Sequence, residues 1–324
     1  QTFELRTTIL DPQGREAAVV HSTAQVGPRA QTDVEQAACL SAPALWSLEQ
    51  PNLYVARIAV LRGGQVVDDY ATHFGVRTLE YDKDRGFLLN GQSVKFKGVC
   101  LHHDAGSVGA AVPEPVWQRR LEILKAFGCN AVRTSHNPCA SELMDMYDRM
   151  GFLVMDEFTD KFCGPWNREF ENEWPKIFAN TIARDRNRPS VAMWSVGNEF
   201  GIPGTDYSID WLSRLVRFVH DLEPTRPAIS GVERFRDIDV DERVKTLLDT
   251  FAFQDFFCMN YGEQWYEAMR AKDASRPILS AESYTYYGST PTFRNACVER
   301  NPWLDVLAHD WVMGSFLWAG IDYL

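Results

Sequence analysis

Two glutamates stand where acid–base chemistry needs them. Glu199 ends the run Val191-Ala192-Met193-Trp194-Ser195-Val196-Gly197-Asn198-Glu199, and Glu282 ends Pro277-Ile278-Leu279-Ser280-Ala281-Glu282. Each follows a short apolar run of the kind that forms a buried strand. A carboxylate at the C-terminal end of such a strand can face a cleft. Two of them facing one another suit cleavage of a glycosidic bond: one protonates the leaving oxygen, and the other attacks the anomeric carbon or activates water. The same pair could instead be structural partners of buried bases such as Arg133, and position alone leaves both readings open.

The elements that must carry these groups alternate. Apolar strands are expected at 94–101, 130–134, 153–156, 191–196, 227–230, 256–260, 277–280 and 314–318. Amphipathic helices fall between them: in 116–127 Leu121, Leu124 and Phe127 share a face, 142–150 stops at Gly151, and 211–220 stops before Pro224. Eight strands with intervening helices over residues 79–324 match a TIM (β/α)8 barrel, whose site is built from the loops after the strands. A doubly wound sheet is the runner-up, but no Gly-rich phosphate turn follows the first strand. Polar residues do gather after the strands: His102, His103 and Asp104; Arg133 with His136 and Asn137; Asp156-Glu157; Asn198-Glu199; Asn260-Tyr261; Glu282; Trp318 and Asp322. Residues 1–78 read differently. Period-2 alternation at Tyr54, Ala56, Ile58 and Val60, a Gly63-Gly64 turn and a return over 66–74 make a hairpin, with further strands expected at 2–10, 17–23 and 34–40. That is an all-β, immunoglobulin-like sandwich ahead of the barrel.

Composition narrows the function classes. Hydrophobic residues are 45% and charged residues 24% of the 324, which is ordinary for a globular chain. A net charge of −11 argues against a nucleic-acid partner, since an acidic surface repels phosphates. No apolar run is long enough to span a bilayer, so no membrane partner is expected. The seven Cys are scattered with no CxxC pair, which disfavours a disulfide framework or a structural zinc site. Aromatics reach 12% with ten Trp, which suits either a large core or flat platforms for sugar rings. Gln1 is no start methionine and the last strand lies close to the end, so the segment reads as cut from a longer chain, and the compartment is left open.

Two longer motifs give the reading a family. The stretch Asp185-Arg186-Asn187-Arg188-Pro189-Ser190 running on to Asn198-Glu199 resembles the acid/base signature of glycoside hydrolase family two. Asn130-Ala131-Val132-Arg133-Thr134-Ser135-His136-Asn137-Pro138, continued by 148–157, resembles that family's other signature. Phe74-Gly75-Val76-Arg77 is similar to its junction between sandwich and barrel, and Gly314-Ser315-Phe316-Leu317-Trp318 with Asp322-Tyr323 to its last strand. The wording Gly98-Val99-Cys100-Leu101-His102-His103-Asp104 looks most like the β-galactosidase branch, with β-glucuronidase and β-mannosidase as alternatives.

The resemblance implies roles. Glu199 is the general acid/base and Glu282 the nucleophile of a retaining exo-β-glycosidase acting on a carbohydrate substrate. Arg133 helps keep Glu282 ionised and Glu199 is held protonated until it donates. Asn198 takes the sugar 2-hydroxyl, Tyr261 bonds Glu282, His102, Asp104, Arg133 and His136 line the substrate site, and Trp318 forms an apolar platform. Tyr261 and Trp318 could instead be core, while His103 and Trp194 read as structural. No cofactor is expected: some relatives hold magnesium with a carboxylate and a histidine after the third strand, where this chain has Asp160 and Phe162. Self-association is left open. From other classes, a metal-dependent amidohydrolase normally shows His-x-His rather than His102-His103-Asp104, and a non-catalytic carbohydrate-binding barrel has no need of both carboxylates.

Overall fold

The computed structural model describes residues 1–161, 169–232, 240–283 and 301–323. The chain forms two compact units. One comprises Gln1–Arg77 with the short returns Asp148–Gly151 and Asn187–Pro189, and the other comprises the remaining residues.

The first unit is all-β. Thr2–Leu10 (β1), Glu16–Gln25 (β2), Tyr54–Arg62 (β3) and Gln65–Phe74 (β4) form an antiparallel sheet in the order β2-β1-β3-β4. Gly63 and Gly64 turn β3 into β4 at φ 59° and 80°, a conformation open to glycine without penalty. Trp46, Tyr54 and Leu61 are the buried large apolar side chains of residues 1–77. The strand expected at 34–40 does not form; this stretch is irregular. Its Gln36 amide instead donates to Ser22 Oγ at 2.8 Å, so side-chain bonds replace a ladder there.

The second unit opens with a small antiparallel sheet of Leu79–Asp82 (β5), Gly86–Leu89 (β6) and Gln92–Ser93 (β7). Eight parallel strands follow: Phe96–Leu101 (β8), Ala131–Thr134 (β9), Leu153–Glu157 (β10), Val191–Asn198 (β11), Ala228–Gly231 (β12), Phe257–Asn260 (β13), Ile278–Ser283 (β14) and Val312–Leu317 (β15). They pair in chain order, with β15 returning to β8. Closure comes at Val232, whose N–H donates to Cys258 O and whose carbonyl accepts from Asn260 N–H, both at 3.2 Å. The fold is therefore a (β/α)8 barrel preceded by an all-β unit.

Helices Glu114–Ala126 (α1), Ser141–Met150 (α2), Phe170–Asp185 (α3), Asp206–Leu222 (α4), Val240–Thr250 (α5), Tyr266–Lys272 (α6) and Trp303–Ala308 (α7) lie between the strands. In α4, Trp211, Leu212, Leu215, Val216 and Val219 are buried at helical spacing, and Thr205 caps the first turn by accepting from Ser208 N–H. Trp117, Leu121 and Leu124 of α1 are buried, but Phe127 is not the fourth member of that face. It lies past the last helical turn and is 83% exposed. Phe87, Phe96 and Phe316 pack ring to ring at 4.5 and 6.0 Å where β8 begins. They fill the N-terminal end of the barrel and leave the other end for the polar groups.

Gly314, at the start of this layer, has φ 150°, and a Cβ there would overlap the Phe96 carbonyl oxygen and lie 2.5 Å from its nitrogen. Backbone cannot give way as a flexible side chain does. Gly314→Ala is expected to lose about 2–4 kcal/mol of stability. Gly27→Ala, whose new Cβ would meet only Ala30 Cβ at 3.8 Å, should stay within about 0.5 kcal/mol. Denaturant unfolding of both variants checks this, and equal midpoints would refute the packing argument.

Candidate active site

The strand ends bend to aim their side chains. Glu199, next after β11, has φ 44°, and Tyr261, next after β13, has φ 51°. Non-glycine residues occupy this region at a cost of about 1–3 kcal/mol, and surrounding bonds must hold them there. They do: Glu199 N–H donates to Gly231 O at 2.9 Å, and Tyr261 N–H donates to Glu282 O at 2.8 Å. The register of β11 on β12 shifts between Ser195 and Asn198, and that of β13 on β14 between Met259 and Asn260. Such irregularities re-aim side chains at the end of a ladder.

Arg133 lies at the centre and is fully buried. Its Nε–H donates to Glu157 Oε2 at 2.9 Å; Nη1 donates to Glu282 Oε1 at 2.8 Å and to Ala281 O at 3.0 Å. Nη2 donates to Asn198 Oδ1 at 2.9 Å and lies 2.8 Å from Glu157 Oε2. Four hydrogens are accepted in these bonds, and Nη2 also lies 3.4 Å from His136 Nδ1. Arg133 is thus fully buried with a protein acceptor on each nitrogen, which corrects its expected place among substrate-binding residues; it is the support behind them. Burial pushes the Glu157 carboxyl up, but Arg133, then His136 and Ser195, outweigh it, and the net direction is down.

Glu282 is buried, with Arg133 on one oxygen and Tyr261 O–H donating to the other at 2.7 Å. Burial raises its carboxyl above the ordinary range; Arg133 opposes, Glu199 adds, and the net direction is up. Arg133 acts in the expected sense, favouring the anion, but desolvation is the larger effect. Both partners are nevertheless donors, so the anion is the form that the site receives. Burial and the charge of Glu282 raise the Tyr261 phenol, which stays a donor.

Around Glu199 the amides interlock. Asn260 Nδ2 donates to Glu199 Oε1 at 3.1 Å and to Asn198 Oδ1 at 2.9 Å. Asn198 Nδ2 donates to Asp160 Oδ1 at 3.2 Å, leaving its second amide hydrogen for a ligand hydroxyl. Gly231 makes room: a Cβ there would lie 2.6 Å from Asn260 Oδ1 and 3.3 Å from Asn198 Oδ1.

An aromatic wall completes the arrangement. Trp318 and His136 stack with centroids 5.0 Å apart, and His102 meets Trp318 edge-on at 5.2 Å and His136 at 5.6 Å. Tyr323 stacks on His102 at 3.7 Å. His136 Nδ1 lies 2.6 Å from Glu157 Oε1, so Nδ1 carries the proton in that bond and Nε2 is left for another partner. Burial, then the neighbouring His136, pushes His102 down to about 4, and among the described residues its buried Nδ1 has no partner. Trp318 is half-buried rather than barrel filling. Trp194 is core: it is fully buried, stacked on Phe158 at 5.6 Å and donates to Glu223. His103 is exposed and bonded to Asn137.

Glu199, Glu282, Asn198, Tyr261, His102, His136 and Trp318 all fall in this one bonded or stacked assembly, and Asp104 is close enough for its charge to act on His102. Sequence reasoning did not assign roles to Glu157, Asn260, Lys161 or Tyr323. Glu157 and Asn260 have the signal of strand-end position and Tyr323 falls within the last-strand motif; Lys161 has no comparable signal. Among the described residues no three His, Cys, Asp or Glu side chains group as a metal-binding set. Phe162 lies outside the described residues.

The comparisons agree with this architecture. A family model described as "Glycosyl hydrolases family 2" matches residues 1–77, and one described as "Glycosyl hydrolases family 2, TIM barrel domain" matches 82–319. A β-galactosidase of Bacteroides ovatus is 38% identical over 98% of this chain and 45% of its own length. A putative β-glucuronidase of Formosa agariphila is 32% identical over 87% of this chain and 30% of its own. The crystal structure of a glycosyl hydrolase family 2 member from Bacteroides cellulosilyticus superposes with a TM-score of 0.88 at 34% identity, over 100% of this chain and 42% of that one. The chain spans less than half the length of these relatives. Both units match in order, and the chain belongs to family 2 of the glycosyl hydrolases.

Proposed function

We propose that this chain carries the catalytic centre of a retaining exo-β-glycosidase that removes terminal β-D-galactose. The observation that carries the reading is the unequal holding of two glutamates in one bonded assembly. Glu282 has a donor on each oxygen, while among the described residues Glu199 accepts a single hydrogen bond, from Asn260. A nucleophile must be fixed, and a proton carrier must exchange its proton. Retention requires carboxyl groups about 5–5.5 Å apart, and the charge of Glu199 reaches Glu282.

In the first step a Glu282 oxygen bonds to the anomeric carbon as the glycosidic C–O bond breaks. Glu199 gives its proton to the departing oxygen. In the second, Glu199 takes a proton from water, the water oxygen bonds to the anomeric carbon, and the ester to Glu282 breaks. Asn198 bonds the 2-hydroxyl with its remaining amide hydrogen, a contact that strengthens as charge develops. Trp318 with His136 presents the apolar wall, and His102 Nδ1 and Asp104 face the remaining hydroxyls. The galactoside is favoured by likeness to the Bacteroides ovatus enzyme and by charge. Arg133 and Lys161 already offset carboxylates, so a neutral sugar fits better than a uronate. The relative named as a putative β-glucuronidase keeps the glucuronide as the alternative.

A panel of nitrophenyl β-glycosides against the full-length parent protein tests the substrate. The galactoside should lead, and preference for the glucuronide or mannoside would replace that assignment. Glu282→Gln should lose about 10³-fold or more in kcat. Glu199→Ala should be partly rescued by azide on an activated aryl glycoside, giving a β-glycosyl azide; an α-azide would reverse the two roles. Activity needs Glu282 ionised, so the acid limb of kcat/KM should lie above the ordinary glutamate value of 4.5. Tyr261→Phe removes a donor that favours the anion and should move that limb to higher pH; an unmoved or lowered limb would break the link between Tyr261 and the nucleophile.

A further inference from the structure

We propose that Lys161 is a positioning residue for Glu199 that assists the step in which Glu199 gives up its proton. The inference rests on Glu199 being the acid/base. Lys161 Nζ lies 3.7 Å from Glu199 Oε2 and 3.3 Å from Asp160 Oδ1. Asp160 in turn accepts from Asn198 Nδ2 at 3.2 Å. On the other side Asn198 Oδ1 accepts from Asn260, whose amide also donates to Glu199 Oε1. The contacts close a ring: Glu199 to Asn260 to Asn198 to Asp160 to Lys161 and back to Glu199. Both oxygens of Glu199 are thereby referred to one buried amide, Asn198. That ring selects an orientation of the carboxyl group that a single bond from Asn260 would leave free.

The ring is not symmetric in charge. Asn260 holds Glu199 in either protonation state, since an amide N–H donates to a carboxylic acid or a carboxylate. The Lys161 ammonium interacts strongly only with the carboxylate. Glu199 also acts on Glu282 and Tyr261, neither of which is positive, and Lys161 shares its charge with Asp160. As the aglycone departs, Glu199 goes from neutral to anionic, and the attraction to Lys161 grows during that step alone. An interaction that is stronger in the transition state than in the ground state accelerates the step. Lys161 is half-buried, so solvent screens the pair and the effect is modest.

The test uses the full-length enzyme with Lys161→Met and Lys161→Arg, checked for folding by circular dichroism. The substrates are the phenyl and 2,4-dinitrophenyl β-glycosides of the sugar that the parent hydrolyses best. Phenolate needs a proton to leave and dinitrophenolate does not, and kcat/KM reports formation of the glycosyl-enzyme. Lys161→Met is expected to lower kcat/KM about threefold to fivefold on the phenyl glycoside, chiefly through kcat, and to change it less than about 1.5-fold on the dinitrophenyl glycoside. Lys161→Arg should recover most of the loss. Equal losses on both substrates, or none on either, would overturn the assignment of Lys161 and leave the glycosidase reading intact. A parent that hydrolyses no β-glycoside would instead overturn the glycosidase reading, and this inference with it.

Discussion

A buried guanidinium organises the C-terminal half of the barrel interior. Arg133 is out of contact with water, and such a cation is tolerated only where every hydrogen is accepted and charge is matched. Glu157 and Glu282 supply the charge, and Asn198 and Ala281 supply the remaining acceptors. The consequence is geometric. β9, β10, β11 and β14 each contribute a group to one ion, so the relative heights of four strands at their C-terminal ends are fixed by hydrogen bonds with little tolerance. An apolar layer could slide; a guanidinium bonded to Glu157, Ala281, Glu282 and Asn198 does not. Removing one partner would leave a charge buried and unmatched, which costs far more than the contact gains.

The same bonding explains why the support and the working face are separate. Arg133 spends its hydrogen bonds behind the site, and unused capacity is left on other groups. Among the described residues, Asn198 has one amide hydrogen remaining, His136 has Nε2, and His102 has a buried Nδ1 without a partner. Glu199 and Tyr261 are held in left-handed backbone, and both are tied by main-chain bonds to the neighbouring strand. That strain sits at the rim while the opposite end of the barrel is filled by phenylalanine rings. Local cost is concentrated where the chain must aim a side chain inward.

Much of this was legible in the sequence because apolar strands ending in polar residues are a one-dimensional signal. The strands bearing Glu199 and Glu282 were bounded to within a few residues, and Gly151 marked the end of a helix as its φ of 70° requires. What failed was local pattern without tertiary weight. Val34–Leu40 alternates like a strand, yet Gln36 in its middle bonds side chain to side chain. Phe127 fits a helical face by spacing, but the helix stops before it. At the site, Arg133 was read as a ligand contact because position at a strand end does not reveal how many hydrogens are already used. Asn260 was visible beside Tyr261, but its bond to Glu199 depends on a bulge and on Gly231 having no Cβ. Lys161 follows four residues after β10 in a loop, where no periodicity applies.

The electrostatic outcome also could not be read from residue types. A glutamate beside an arginine suggests a lowered pKa, and Glu157 follows that rule while Glu282 does not, although both touch Arg133. The difference lies in their other neighbours. Glu157 adds His136 and Ser195 to Arg133 as donors. Glu282 has Arg133 and Tyr261 but shares its surroundings with a second carboxyl group, Glu199. Desolvation acts on both, and the number of donors against the number of like charges decides the sign. A carboxylate that burial makes costly as an anion is also a more reactive nucleophile than one stabilised deep in an ion pair. Two glutamates on one arginine thus differ: the Glu157 carboxyl is held down within the scaffold, and Glu282 is left with the less stabilised charge.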